Sequence, residues 1–120
     1  MKKILIVDDH ADLRRLLAIT LGKEYDIMQA DDGVTALEAV RASRPQMVLL
    51  DVMMPGEMDG LQVLSCIKSD PALRNTLVVM VTARGQKADI ELGRSLGADN
   101  YITKPFSPLS LMSWIRTQLQ

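Results

Sequence analysis

Residues 4–17 read ILIVDDHADLRRLL and join the two patterns that decide the fold. The first four residues form a short apolar run, which predicts a buried β-strand. From Leu13 onward the leucines recur at the three- and four-residue spacing of an amphipathic helix, after the acidic pair Asp8 and Asp9. A buried strand followed directly by a helix is the unit from which parallel α/β sheets are built.

The same alternation recurs along the rest of the chain. Further apolar runs lie at 25–30, 47–50, 77–81 and 101–102, and segments with helical periodicity lie at 34–40, 61–67, 88–96 and 111–119. Runs of valine, isoleucine and leucine without strict alternation indicate strands that are covered on both faces. We therefore predict an α/β protein with an open, doubly wound parallel sheet.

Length and composition indicate a single globular domain. The chain has 120 residues, of which 48% are hydrophobic and 24% charged, which excludes disordered and collagen-like proteins. The net charge is -1 and the basic residues form no stripe, so direct nucleic-acid binding is not expected. No signal peptide or membrane-spanning stretch is recognised, and Cys66 is the single cysteine. These features predict one domain over residues 1–120 in the cytoplasm.

Polar residues stand where the predicted strands end. Asp8 and Asp9 follow the first run, Asp51 follows the third, Thr82 follows the fourth, and Lys104 follows the fifth. In an open parallel sheet the carboxyl ends of the strands meet at one edge, where such proteins bind their ligands. Any one of these residues alone would be assigned to a helix cap or to solvent. Because all five coincide with strand ends, we predict that they gather at one rim.

The residue types at this rim point to phosphoryl chemistry. Three carboxylates repel one another and favour a bound cation, and magnesium prefers such hard oxygen ligands. The sequence lacks the histidine and cysteine clusters of zinc sites. Lys104 and Thr82 can each contact a phosphoryl oxygen, one by charge and the other through its hydroxyl. A carboxylate can also act as the nucleophile in phosphoryl transfer.

Five stretches of the chain together resemble the receiver domain of two-component response regulators. They read ILIVDDHADLRRLL, QADDGVTALEAV, VLLDVMMPGEMDGLQVL, VVMVTA and GADNYITKPF, and they extend over essentially the whole chain. The resemblance implies a flavodoxin-like fold, in which a five-stranded parallel sheet of order 2-1-3-4-5 is flanked by five helices. It also implies a switch that accepts and hydrolyses its own phosphoryl group and is otherwise not an enzyme.

The resemblance assigns roles to the acidic residues. Asp51 would be the phospho-acceptor, and it would take the group from a phosphohistidine of a sensor histidine kinase or phosphotransfer protein. Mg2+ would bind Asp8, Asp9, Asp51 and the backbone carbonyl of Met53. The segment between the acceptor and Gly60 is longer by one residue than is common in that family.

The resemblance also implies how the signal would be passed on. Thr82 and Lys104 would contact phosphoryl oxygens, and the bond from Lys104 to Pro105 would be cis. Tyr101 would turn inward when Thr82 moves toward the phosphoryl group. The surface formed by the fourth helix, fifth strand and fifth helix would then change for a downstream protein, for a fused output domain or for a phosphorylation-dependent homodimer.

Other residues receive structural or open assignments. His10 follows the acidic pair and is predicted to be a solvated residue at the start of a helix, and residues 31–32 are predicted to start the next one. Met53 and Arg84 occupy positions that resemble those tuning the phosphoryl lifetime in this family, with no direction predicted. Trp114 is left open between the core and a partner-facing surface.

Two alternative functions are kept. The first is a receiver-like interaction module that is never phosphorylated. The second is an Asp-nucleophile phosphatase of the haloacid dehalogenase type, with Asp8 attacking the substrate. Those enzymes have a second aspartate two positions later, where this chain has His10, and 120 residues leave no room for their usual cap insertion. Nucleotide-binding loops are not indicated, because neither GxGxxG nor GxxxxGKS/T occurs.

Overall fold

A computed structural model describes residues 1–83 and 87–120, so Arg84 lies outside the described residues. Strands and helices alternate along the described chain, and each predicted segment coincides with an observed one. Every helix in the described ranges falls short of what a membrane-crossing segment requires in length and hydropathy. The elements are β1 (Lys3–Val7), α1 (Ala11–Leu21), β2 (Asp26–Ala30), α2 (Gly33–Ser43), β3 (Met47–Asp51), α3 (Gly60–Ser69), β4 (Leu77–Ala83), α4 (Lys87–Ser95), β5 (Asn100–Lys104) and α5 (Pro108–Gln118).

The five strands form one parallel sheet in the order β2-β1-β3-β4-β5. This order confirms the predicted doubly wound, flavodoxin-like architecture. In the register of the sheet, Val7 of β1 pairs with Leu50 of β3, and Asp51 pairs with Val81 of β4. The residues that directly follow or end these strands are therefore neighbours at the carboxyl edge of the sheet, where the strand order reverses.

Successive side chains of each strand enter two different hydrophobic layers. Leu5 and Val7 of β1 belong to the layer covered by α2 and α3, whereas Ile4 and Ile6 belong to the layer covered by α1 and α5. The inner strands are consequently covered on both faces, and β3 is buried at every position. This explains why the inner strands read as continuous apolar runs.

Helix starts set the length of the loops at the carboxyl edge. The Asp32 side chain caps α2, Asp59 and Gln62 form a reciprocal capping box at α3, and Ser107 caps α5 with Pro108 in its first turn. Each cap satisfies backbone N–H groups that would otherwise lack partners. The predicted helix start at residues 31–32 is thus confirmed.

Trp114 combines the two roles that the sequence left open. Its side chain packs, partly buried, against the layer of α1 and α5. It also lines a surface groove between β5 and α5, together with Tyr101, Ile102 and Phe106. The indole therefore contributes both to the core and to an exposed apolar surface.

Candidate functional site

The carboxyl edge of the sheet brings the predicted acidic residues together. One carboxylate oxygen each of Asp8, Asp9 and Asp51 and one ring nitrogen of His10 all lie within 4.8 Å of one another. Lys104 reaches the same cluster from β5, with its Nζ 2.9 Å from Asp8 Oδ2 and 3.5 Å from Asp51 Oδ2. These groups come from three separate strand ends, and only the order of the sheet makes them neighbours.

Asp8 is buried and has a partner for each of its carboxylate oxygens. Its Oδ1 accepts a hydrogen bond from the backbone N–H of His10 at 2.8 Å, and its Oδ2 accepts one from Lys104. Arg14 of α1 donates to the Asp8 carbonyl at 2.6 Å. Burial raises the pKa of Asp8, but the hydrogen bonds from His10 and Lys104 outweigh burial and hold the pKa below its ordinary value. Asp8 is therefore a well-compensated anion.

Asp51 lies at the end of β3 and is less well compensated. The backbone N–H of Met53 donates to its Oδ1 at 3.2 Å, and Lys104 stands farther from it than from Asp8. Burial raises the pKa of Asp51, and the charge of Asp8 raises it further, so that together they outweigh Lys104 and the Met53 amide. A cation beside Asp51 would relieve this repulsion and favour the ionised carboxylate.

Lys104 links the two buried carboxylates from the edge strand. Burial alone would lower the pKa of its ammonium, but the hydrogen bond to Asp8 and the charges of Asp51 and Asp8 raise the pKa above its ordinary value. The peptide bond from Lys104 to Pro105 is cis, as the resemblance implied. The lysine is thus a fixed positive charge at the rim.

Thr82 lies on β4, the strand between Asp51 and Lys104. Its side chain is buried, and its hydroxyl donates to the Ala83 carbonyl at 3.3 Å, a long and therefore weak hydrogen bond. In the sheet register Thr82 pairs with Thr103, the residue that precedes Lys104. A stronger acceptor at the rim would compete easily with the Ala83 carbonyl for this hydroxyl.

Tyr101 is half-buried on β5 and packs against α4. The Arg94 guanidinium lies 5.9 Å from the centroid of its ring. Its Oη is buried and has no hydrogen-bond partner among the described residues. Gly93 makes room for the ring, because a Cβ at that position would lie 2.8 Å from Oη. The Tyr101 ring can therefore pack directly against α4, because Gly93 has no side chain in its way.

The rim opens into a depression with an acidic lining. It is formed by Asp9, Asp31, Asp32, Pro55 and Gly56. Gly56 has a φ of 101°, a left-handed conformation that glycine adopts without strain. Three carboxylates around one opening attract cations from solvent. The sequence predicted a helix start for residues 31–32, but their place beside Asp9 depends on β2 lying next to β1.

His10 also contacts the acidic cluster, which sequence reasoning did not predict. It precedes α1 and its side chain is 69% exposed, in line with a solvated residue at a helix start. Its Nδ1, however, lies 2.9 Å from Asp8 Oδ1 and 3.3 Å from Asp9 Oδ1. The available signal was its spacing, since an aspartate often binds the backbone N–H two residues later and folds the chain back.

Comparison with known proteins places these features in a family. The family model described as "Response regulator receiver domain" matches residues 4–116. The DNA-binding response regulator MtrA of Mycobacterium tuberculosis is 42% identical over 120 residues, which cover 99% of this chain and 51% of MtrA. The chain thus spans about half the length of the curated relatives it matches.

Solved structures give the same result. Chemotaxis protein CheY4 of Vibrio cholerae superposes with a TM-score of 0.90 and 28% identity over 99% of both chains. The signal receiver domain of a signal transduction histidine kinase from Syntrophus aciditrophicus superposes with a TM-score of 0.89 and 31% identity, covering 99% of this chain and 90% of that one.

Proposed function

The chain belongs to the response regulator receiver domain family of two-component signalling, and on that premise we propose that Asp51 accepts a phosphoryl group in a magnesium-dependent reaction. One observation carries the proposal. Asp51 lies in a cluster with Asp8 and Asp9, and Lys104 stands 3.5 Å from its carboxylate. A nucleophilic carboxylate, oxygen ligands for a hard cation and a fixed positive charge are the groups that phosphoryl transfer to a side chain requires.

In the proposed reaction a carboxylate oxygen of Asp51 attacks the phosphorus of a phosphohistidine on a sensor kinase or phosphotransfer protein. The O–P bond forms as the P–N bond breaks, and the imidazole nitrogen leaves with the bonding electron pair. Water later attacks the aspartyl phosphate, which releases inorganic phosphate and restores the Asp51 carboxylate. The domain would act on its own side chain only, as a switch rather than as an enzyme.

Magnesium fits the donor set of this rim. Asp8, Asp9, Asp51 and the backbone carbonyl of Met53 would hold the ion, and all four supply the hard oxygen atoms that it prefers. Burial and the charge of Asp8 together raise the pKa of Asp51, so a cation beside it would favour its ionised form. A bound magnesium ion would supply positive charge that offsets the charge of the transferring phosphoryl group.

Lys104 and Thr82 would stabilise the phosphorylated state. Phosphorylation of Asp51 adds negative charge and strong acceptor oxygens at the rim. Lys104, now nearer to Asp8 than to Asp51, would pair with one of these oxygens. The Thr82 hydroxyl would exchange its weak bond to the Ala83 carbonyl for another. Both changes would draw β4 and β5 side chains toward Asp51.

The surface formed by α4, β5 and α5 would transmit the change. Within the part of α4 that the structure describes, Lys87–Ser95, Gly93 is the one buried residue, so few contacts hold this helix against the sheet. Tyr101 lies between that helix and the groove that Ile102, Phe106 and Trp114 help to line. A shift of Thr82 that altered the packing of Tyr101 would therefore change both neighbouring surfaces.

The proposed receivers of the signal are an output domain, a separate protein or a second copy of this chain. MtrA is by its name a DNA-binding response regulator, and this chain covers about half of it. We propose that the chain signals to such an output domain or to a separate protein, with a homodimer as a further mode. The net charge of -1 gives no support to direct nucleic-acid binding by this domain.

The test is the intact mass of the protein after incubation with a small phosphodonor and Mg2+. One phosphoryl adduct is expected for the natural chain, and none with a chelator or with Asp51→Asn. Asp12→Asn is the matched control, because Asp12 is an exposed carboxylate of α1 outside the cluster. It should be labelled as fully as the natural chain.

The opposite result would favour the interaction module. If a folded chain that binds Mg2+ gives no adduct with any phosphodonor, the proposed phosphorylation is wrong. If the adduct forms on Asp51→Asn as fully as on the natural chain, the acceptor is misassigned. Steady turnover of a small phosphoester with Asp8 as nucleophile would instead favour the phosphatase.

A further inference from the structure

The backbone carbonyl of Asp8 is held by a side chain of α1. β1 ends at Val7, and the Asp8 N–H donates to the carbonyl of Ala30 on the neighbouring strand at 3.2 Å. The Asp8 carbonyl accepts from Nη1 of Arg14 at 2.6 Å. Because a buried backbone group needs a partner, this bond ties the residue after β1 to the fourth residue of α1.

The Arg14 side chain has this carbonyl as its one hydrogen-bond acceptor among the described residues. It takes part in none of the ion pairs of the described chain. Its Nε is buried and has no partner there, which is unfavourable for a donor. A guanidinium that served only solubility would turn to water, so the contact with the carbonyl is what keeps Arg14 half-buried.

The carbonyl that Arg14 holds belongs to the peptide group between Asp8 and Asp9. A peptide group is planar, so a fixed carbonyl also fixes the direction in which the chain enters Asp9. The Asp8 carboxylate has its own partners, Lys104 and the His10 amide. The Asp9 carboxylate is 35% exposed, and its one ion pair in the described chain is with the exposed His10 ring. The position of Asp9 therefore depends mainly on its backbone.

We propose that Arg14 is a positioning residue of the magnesium site, which fixes the peptide group between Asp8 and Asp9 and thereby directs the Asp9 carboxylate toward the ion. The inference rests on the proposed function, because it assumes that Asp8, Asp9 and Asp51 bind Mg2+. Arg14 would contact neither the ion nor the phosphoryl group. Its charge acts in the opposite direction, since a cation near the carboxylates disfavours a second cation.

The experiment is calorimetric titration of the intact chain with Mg2+. Arg14→Met keeps an apolar stem but removes the donor, and it should lower the affinity about tenfold, as when groups that orient metal ligands are removed. Loss of the charge alone would raise the affinity. Arg15→Met is the matched control, because it removes an exposed cation from the next position of α1, and it should change the affinity by less than about twofold.

Two further measurements separate positioning from other roles. Arg14→Lys should recover part of the lost affinity, because its ammonium can donate to the same carbonyl. At saturating Mg2+ a small phosphodonor should label Arg14→Met about as fast as the natural chain, since more ion makes up for weaker binding. Slow labelling that persists at saturation would mean that Arg14 acts on the reacting groups themselves, which would overturn the inference.

The remaining outcomes distinguish this inference from the proposed function. Urea unfolding identifies the variants that are folded under the titration conditions, and if Arg14→Met is not, Arg14→Gln gives the same test with a side chain too short to reach the carbonyl. If the folded variant binds Mg2+ as tightly as the natural chain or more tightly, Arg14 contributes only its charge. The inference is then wrong and the magnesium proposal stands. If the natural chain binds no Mg2+, both are wrong.

Discussion

The central strand β3 and the edge strand β5 both supply site residues, but they are held in different ways. β3 is buried at every position, and its last residue, Asp51, is surrounded by neighbouring strands. β5 has one strand partner, β4, and none of its five residues is fully buried. Asp51 therefore sits on a rigid platform, whereas Lys104 and Tyr101 sit on a strand that can adjust.

The difference also appears in how two glycines are packed. A Cβ on Gly60 would lie 2.1 Å from the backbone oxygen of Asp51, whereas a Cβ on Gly93 would meet the far end of the Tyr101 side chain. Backbone at the centre of the sheet cannot yield, but a side chain at its edge can. The comparison indicates that the half of the site around Asp51 is packed more tightly than the half around Lys104 and Tyr101.

The largest expected effect comes from truncating the same hydrophobic layer at the centre and at the edge. Leu49 of β3 and Ile102 of β5 both belong to the layer of α1 and α5, but only Leu49 is fully enclosed. Leu49→Ala should lower the free energy of unfolding by about 3 kcal/mol, and Ile102→Ala by less than about 2 kcal/mol. Urea unfolding measures both. Equal losses would mean that the edge is packed as tightly as the centre.

A second test adds a methyl group beside Asp51, the proposed acceptor. Gly60→Ala should cost about 2 kcal/mol or more, because the new Cβ meets the backbone of Asp51 and Val52 and α3 must shift. If Asp51 is the acceptor as proposed, the rate of labelling by a phosphodonor should fall as well, since the displaced backbone carries it. Unchanged stability and labelling would show that β3 is not the rigid platform described above.

A third test uses the opposite pKa shifts of the two buried carboxylates. The folded-state pKa of Asp51 is raised above 3.8, so its ionisation opposes folding at neutral pH, and this opposition is relieved as the pH falls through the raised pKa. The folded-state pKa of Asp8 is lowered, so its charge stabilises the fold above pH 3.8, and this contribution is lost as the pH falls through the lowered pKa.

Without magnesium at neutral pH, Asp51→Asn should therefore stabilise the protein and Asp8→Asn should destabilise it. Thermal unfolding at several pH values measures both variants against the natural chain. Added Mg2+ should stabilise the natural chain more than Asp51→Asn. If both variants shifted the unfolding temperature in the same direction, the conclusion that Lys104 pairs mainly with Asp8 would be wrong.

The smallest effect on stability is expected at the edge. Gly93→Ala should stabilise α4 by at most about 1 kcal/mol through its higher helix propensity. This gain offsets the cost of displacing the Tyr101 ring. Stability should change by less than about 1 kcal/mol. The ring resonances of Tyr101 should shift toward solvent-exposed values, while those of buried Tyr25 stay unchanged as an internal reference. Unchanged ring resonances of Tyr101 would mean that the edge strand β5 does not adjust to the added methyl group.

Sequence periodicity predicted the strands and helices, because the residues that each element buries recur with the period of that element. The run at 47–50 is apolar throughout because β3 is covered on both faces, and the leucines of α1 repeat because one side of the helix is covered. The run at 101–102 was the weakest signal, and the edge strand β5 is the least buried of the five strands. A half-exposed strand has little pattern to detect.

The candidate site was predicted in outline, because polar residues at the ends of apolar runs stand out in the sequence. The reach of Lys104 to Asp8 rather than mainly to Asp51 was not predictable, since it depends on side-chain conformations at the meeting point of three strands. The return of the His10 ring onto the carboxylates depends likewise on the turn after β1.

The sequence by itself determined the α/β architecture, the family and the residue types available at the strand ends, because these depend on local spacing and residue chemistry. The tertiary structure decided which charges face one another. Asp8 and Lys104 are 96 residues apart in the chain, and the strand order brings them to 2.9 Å. Electrostatic energies fall steeply with distance and rise on burial, so the balance of charge at Asp51 exists only once the sheet has formed.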